Sequence, residues 1–395
     1  MRYCVVLACL FLSLASQAQP TARPLSQQMA DSFMQWYPDS LGLLQNKAAR
    51  WGYEQGLLLK AIERVWQRTG QPKYLAYIVR TIDYSIGADG SIQRYTYQDF
   101  SLDNINTGRT LLTLMQQPGL PRREQYRQAA RQLHQQLVAQ PRTPAGGFWH
   151  KQRYPQQMWL DGLYMAEPFA AEYSVLTNDA AGLDDVAKQF ALVEKYLRDP
   201  KTGLYYHGYD DSRAQQWADK TTGQSPNFWG RGLGWYAMAL VDVLDYLPKN
   251  HPQRPALLQD LRHLAPALVR YQDAATGGWY QVLDQGQRAG NYIETSASCM
   301  FVYALAKGAR LGYLDKKFGQ VARRGYAGIV QKFVQTEPDG TLALTGTVGV
   351  GGLGGTPYRD GSYAYYLSEP LKKNDFKGVG SFIMASVEVE MLAKP

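Results

Sequence analysis

Two kinds of apolar pattern alternate along this chain. In the first, apolar residues recur every three or four positions against a charged face, as on a helix with one side in water. SQQMADSFMQWY, PKYLAYIVRTIDYS, REQYRQAARQLHQQLV, LDDVAKQFALVEKYL, ALLQDLRHLAPALVRY and KKFGQVARRGYAGIVQKFV read this way. In the second, helical segments are apolar nearly all round and rich in small residues, so they belong inside. These are WGYEQGLLLKAIERVW, LDNINTGRTLLTLM, MWLDGLYMAEPFAAEYSVL, FWGRGLGWYAMALVDVLDYL, IETSASCMFVYALAKGARLG and GVGSFIMASVEVEMLAK. Inner helices alternating with amphipathic outer ones predict an all-α toroid: a ring of six helical hairpins, the α/α barrel. Long runs of strand periodicity are missing, which excludes a β-rich or doubly wound fold.

Glycine-marked turns recur near Gly90, Gly147, Gly203, Gly278 and Gly340, each followed by aromatic or β-branched residues suited to a short extended piece. The GTVGVGGLGG stretch lacks the GK[ST] that a phosphate loop needs, and reads as a mobile loop over a cavity. In such a ring, polar residues at the starts of the inner helices converge on one end.

Composition adds a boundary to this picture. The apolar content of 45% supplies a core for 395 residues, and 12% aromatics include 28 Tyr and 9 Trp, whose flat faces suit sugar rings. The formal charge of +8 is spread along the chain without a basic arm, which points to a small anionic substrate and away from nucleic acid. The first residues, MRYCVVLACLFLSLASQAQP, have the layout of a secretory leader cleaved after Ala18, leaving a single domain over 19–395. Export is expected, to a periplasm where the host has one; too little apolar sequence precedes Cys9 to favour a lipid anchor there. Past residue 20 no stretch is long and apolar enough to span a bilayer. Without the leader one cysteine remains, Cys299, in a small-residue helical pattern that suits a buried thiol better than a nucleophile.

The candidate chemistry begins with Asp161. It stands among Trp159, Leu160, Leu163, Tyr164 and Met165, where an unpaired carboxylate is costly and a protonated acid is favoured. Asp103, in SLDNINTG, occupies the matching start of the second inner helix, and Arg231, in NFWGRGLGW, that of the fourth. His207 sits on the aromatic turn YYHGYD, and Trp229 and Trp235 flank the glycines around Arg231. Singly, Asp103 reads as a helix cap and His207 as a structural histidine. Together the four polar groups point to an acid–base site for carbohydrate. The five histidines show no HExxH or paired spacing, so neither a metal nor another cofactor is expected.

The motifs WGYEQG, GGFWHKQRYPQQMWLDGLYMA, YYHGYD, WGRGLGW and GGTPYRDGSYAYYLSEPLKKNDFKGVGSFIMAS resemble those of the unsaturated rhamnogalacturonyl hydrolases, glycoside hydrolase family 105. The resemblance runs over nearly the whole mature chain and implies the six-hairpin barrel. It further implies removal of a 4,5-unsaturated uronic acid from the non-reducing end of a lyase product, by hydration of the double bond. Asp161 then matches the general acid and Asp103 the second carboxylate. His207, Arg231 and Trp235 match residues around the uronide, Lys151 matches a position toward the neighbouring sugar, and Tyr53 and Trp229 line the same pocket. Leu233 stands where many relatives carry Asn, and Ala364 where they often carry Glu, both bearing on substrate choice. Alternatives are an unsaturated glucuronyl hydrolase, an ordinary inverting glycosidase on the same barrel, and a non-catalytic sugar-binding toroid. The expected partner is an anionic oligosaccharide, met by a monomer.

Overall fold

The computed structural model describes residues 23–39 and 51–392, with strand backbone at 43–44 and 47–48; the leader and Cys9 lie outside the described residues. The helices are α1 (Leu25–Trp36), α2 (Tyr53–Thr69), α3 (Pro72–Asp83), α4 (Gly108–Gln116), α5 (Arg123–Val138), α6 (Leu160–Thr177), α7 (Ala180–Leu197), α8 (Gly230–Tyr246), α9 (Arg254–Arg270), α10 (Thr295–Arg310), α11 (Lys317–Phe333), the short α12 (Tyr363–Ser368) and α13 (Phe376–Met391). Around the ring α2, α4, α6, α8, α10 and α13 each pack on the next, and α13 closes on α2. Each is backed by an outer partner: α3, α5, α7, α9 and α11 follow their inner helices, while α1 comes round from the other end of the chain to cover α13.

This is the α/α barrel that the alternating pattern predicts. Inner α8 is buried along nearly its whole length, whereas α5 buries a stripe of Tyr126, Ala129, Ala130, Leu133 and Leu137. One apolar cluster extends from Met29 to Val389. Cys299 is fully buried on α10, where burial pushes its thiol well up, away from nucleophilic use. Among the described residues no helix is long and apolar enough to cross a membrane.

Each outer helix hands the chain to the next inner helix through a tight turn. Four are closed by short strand pairings: Leu43–Leu44 (β1) with Lys47–Ala48 (β2) after α1, and single bridges Ile86–Ile92, Arg142–Phe148 and Arg198–Tyr205 after α3, α5 and α7. The fifth turn, after α9, is held by backbone bonds between Asp273 and Gly277–Gly278. At the five glycine-marked turns of the sequence, the residues with positive φ are Gly90, Gly146, Gly203, Gly277 and Gly340, one residue earlier than the sequence suggested in two cases. Two longer strands, Gln157–Trp159 (β3) and Gly208–Asp210 (β4), pair antiparallel just before α6, and Val334–Thr336 (β5) pairs with Leu342–Leu344 (β6) after α11. All these turns lie at the end where the inner helices begin.

The glycine-rich segment departs from expectation. Thr347–Val348 (β7) pairs with Leu371–Lys372 (β8), and the Gly352 N–H donates to the Tyr365 hydroxyl. Leu353 is fully buried. Glycines here let backbone approach aromatic rings, so the loop is packed down on its neighbours and not loose above them.

Candidate active site

The β3–β4 pairing sets the centre of the site. Trp159 pairs with Gly208, so Leu160 faces His207 and donates its N–H to the His207 carbonyl at 3.0 Å. Asp161 follows, in the first turn of α6, and its Oδ2 lies 3.2 Å from His207 Nε2. The approach lacks hydrogen-bond alignment, and both atoms are otherwise without a partner among the described residues. His207 is fixed from behind, its Nδ1 sharing a 2.7 Å hydrogen bond with the Tyr366 hydroxyl. Of residues 157–169 Asp161 alone is not buried. The apolar run therefore serves as a collar that opens only at the acid.

Asp103 lies ahead of α4 and not on it. It sits in a single 3₁₀ turn, Leu102–Asn104, tied down by the Leu102 N–H to the His150 carbonyl and by the Trp51 indole N–H to the Asn104 carbonyl. Lys151 pairs with its Oδ2, and His150 Nε2 stands 3.4 Å from its Oδ1. Burial alone would raise this carboxyl, but Lys151, His150 and Arg153 outweigh it and hold Asp103 below the ordinary carboxylate value. The second carboxylate is thus an anion. Lys151 pairs its charge with Asp103.

The other candidates converge with defined duties. The Tyr53 hydroxyl, at the start of α2, is raised by burial first and feels Glu54, Asp103, Arg231 and Asp161, which puts it among these groups. Arg231, in the first turn of α8, lies 5.0 Å from the Trp229 ring and donates to the Val348 carbonyl. Glu294 holds the same residue by its other backbone group, accepting the Val348 N–H at 2.9 Å while it caps α10 through Ala297 N–H. Trp229 and Trp235 are each only 1% exposed. Trp229 lies against His207 and Tyr366, and Trp235 stacks on Tyr164 with Tyr53 edge-on. Both rings are spent on packing around these groups instead of offering open stacking faces. Leu233 is fully buried in the barrel core and Ala364 is exposed on α12.

Sequence reasoning missed His150, Glu294 and Tyr366. His150 and Tyr366 stood inside quoted motifs, His150 next to Lys151, but only the β3–β4 register and the packed C-terminal loop bring His150 to Asp103 and Tyr366 to His207. The first turns of α2, α6 and α8 also lie here without a side-chain cap, and their positive dipole ends favour an anionic ligand. Among the described residues, the metal-ligating side chains that cluster closely are Glu194, Asp260 and His263, on outer helices α7 and α9.

Gly351 is part of this packing. A Cβ there would fall 2.2 Å from Trp229 Cζ2. Gly351→Ala is therefore expected to displace the loop or the indole at a cost of about 1–3 kcal/mol. Steady-state kinetics beside thermal unfolding check this, with kcat/KM falling about tenfold; unchanged kinetics would show that the close packing has no bearing on turnover.

Comparison with known proteins gives this geometry its context. The sequence profile of Glycosyl Hydrolase Family 88 matches residues 25–393. A glycoside hydrolase from family 105 of C. acetobutylicum ATCC 824 superposes with a TM-score of 0.89 at 44% identity, covering 94% of this chain and all of that one. Protein Atu3128 of Agrobacterium fabrum is 42% identical over 236 residues, 58% of this chain and 100% of its own length. The unsaturated rhamnogalacturonyl hydrolase YesR of Bacillus subtilis is 27% identical over 279 residues, 69% of this chain and 75% of that protein. With the profile matched across the barrel and a family 105 structure so similar, this chain is a glycosidase belonging to the Glycosyl Hydrolase Family 88 and 105 group.

Proposed function

We propose that the enzyme removes the 4,5-unsaturated galacturonyl residue from the non-reducing end of lyase-generated rhamnogalacturonan oligosaccharides. The observation that carries this reading is that a partly exposed acid, Asp161, and an ionised carboxylate, Asp103, both lie near Tyr53 and His150 at the inner-helix N-termini. YesR, which bears the rhamnogalacturonyl name, supports the choice of substrate. Asp161 donates a proton to C4 of the enol ether. Positive charge then develops at C5 and the ring oxygen, stabilised by the nearby Asp103 anion. Water adds at C5, losing its proton to the Asp161 carboxylate, and the resulting hemiketal opens and expels the remaining sugar as the leaving group. Because the reacting carbon is not the glycosidic one, the usual rule linking carboxylate separation to stereochemistry does not apply.

Arg231, His207 and the uncapped helix N-termini favour the uronate, with Tyr53, Trp229 and Trp235 packed around the site and Lys151 holding Asp103. The leader at residues 1–18 fits an enzyme that meets these oligosaccharides after export. The test is turnover of unsaturated oligosaccharides made by different lyases, followed by loss of the ultraviolet absorbance of the conjugated double bond. Rhamnogalacturonan products are expected to be consumed fastest. Preference for unsaturated glucuronyl products would reassign the substrate, cleavage of a saturated oligosaccharide at a similar rate would reassign the reaction, and binding without turnover of any would remove catalysis.

A further inference from the structure

Asp161 and Asp103 each have one imidazole beside them, and both imidazoles lean on one indole. Trp159 stacks on His150, centroids 4.6 Å apart and planes 17° apart, and meets His207 edge-on at 5.5 Å. His207 faces Asp161, and His150 faces Asp103. The His150 backbone joins the same two places, since its carbonyl accepts from Leu102 in the Asp103 turn and its N–H donates to Gln157 on the strand leading to Asp161.

We infer that His150 is a positioning residue for Asp103, fixing the carboxylate plane that faces the developing charge. This rests on the function proposed above and goes beyond the residues assigned there. The two oxygens of Asp103 are divided: Oδ2 goes to Lys151 and Oδ1 to His150. Lys151 supplies the compensating charge, and a second contact on the other oxygen is what stops rotation of the carboxylate about its own axis. His150 is only 3% exposed. Burial in first place pushes its imidazole down to about 4, so its charge helps to hold Asp103 down only in acid, and at working pH the neutral ring contributes direction. The 3.4 Å separation is long for a hydrogen bond, and contacts of this kind tighten when substrate fills a site.

The experiment compares His150→Leu with His150→Gln, whose amide nitrogen reaches about as far as Nε2. On the unsaturated oligosaccharide that the wild-type enzyme turns over, His150→Leu is expected to lose about 10- to 100-fold in kcat with KM little changed, and His150→Gln to recover most of it. In protein labelled with ¹³C at the aspartate carboxyls, the Asp103 resonance, assigned by its loss in Asp103→Asn, is expected to move in His150→Leu and return in His150→Gln at constant pH. Equal kcat per folded enzyme in wild type and His150→Leu, or an unmoved resonance, would overturn the inference. A wild-type enzyme inactive on every unsaturated oligosaccharide would instead overturn the proposed function, and the resonance would still decide whether His150 holds Asp103.

Discussion

Asp161→Asn is expected to lower kcat by about 10²- to 10⁴-fold, the range typical of a positioned general acid, while the protein folds and binds as before. The amide fills the same volume in the first turn of α6, so the collar of buried residues has no reason to rearrange. What it lacks is a transferable proton. Protonating a carbon–carbon double bond needs an acid aimed at C4, and Asp161 is the one residue of its buried segment left partly exposed. Neighbouring His207 is not an equivalent substitute, because its ring is fully buried and its other nitrogen is engaged by Tyr366. The measurement is the rate of loss of ultraviolet absorbance under saturating unsaturated oligosaccharide, with thermal unfolding run on the same samples. Turnover within threefold of wild type would remove Asp161 as the acid. A comparable fall in the thermal midpoint would make the loss one of structure and not of chemistry.

Much of the barrel was legible because a closed ring of hairpins writes itself into a one-dimensional pattern. A helix buried on every side has no polar stripe, and an outer helix must have one, so the order of the inner and outer helices followed directly. Asp161, Arg231 and Tyr53 were legible for a related reason: they stand in the first turns of inner helices, which open at one end. The misses share a different cause. Asp103 was placed on a helix because LDNINTG continues into one, but Asn106 turns inward to donate to the Tyr164 carbonyl and the chain makes a separate turn first. The glycine-rich loop was read as loose because composition does not reveal that Arg231 and Glu294 hold both backbone groups of Val348 at its start. His150 and Tyr366 reach the carboxylates through contacts between distant segments, which local spacing does not encode. The inner helices are also less uniformly apolar than they read. Lys60, Glu63, Arg109, Asp242 and Lys307 are all buried there, each ion-paired with a residue on another helix or a turn away.

That buried charge supports the second large expectation: Asp242→Leu should destabilise the fold by about 3–5 kcal/mol, the usual cost of leaving buried partners unpaired. Asp242 lies on α8, eleven residues past Arg231 and so about 16 Å further along the helix axis, well away from the acid–base pair. Its Oδ2 takes the Arg109 guanidinium of α4 at 2.8 Å, and its Oδ1 takes both the Lys307 ammonium and the Tyr303 hydroxyl of α10 at 2.6 Å. All three ionic side chains are 1% exposed. Removing the anion strands two cations where water cannot reach them, although Lys307 keeps its pairing with Asp245 at 2.6 Å. Replacing Asp242, Arg109 and Lys307 together with apolar residues of similar size should cost far less, because no charge is then left behind. The pH dependence has a definite sign. Burial alone would raise the Asp242 carboxyl, but Lys307, Arg109 and Arg64 outweigh it and hold it far below its unfolded value of about 4. Its contribution is therefore complete above that unfolded value and lost only as pH falls toward the folded one. Urea unfolding of wild type and Asp242→Leu should show a constant stability gap from about pH 5 to 7 that narrows below about pH 4. A gap under about 1 kcal/mol at neutral pH, or one that widens in acid, would mean that the cluster is solvated and does not hold the inner ring together.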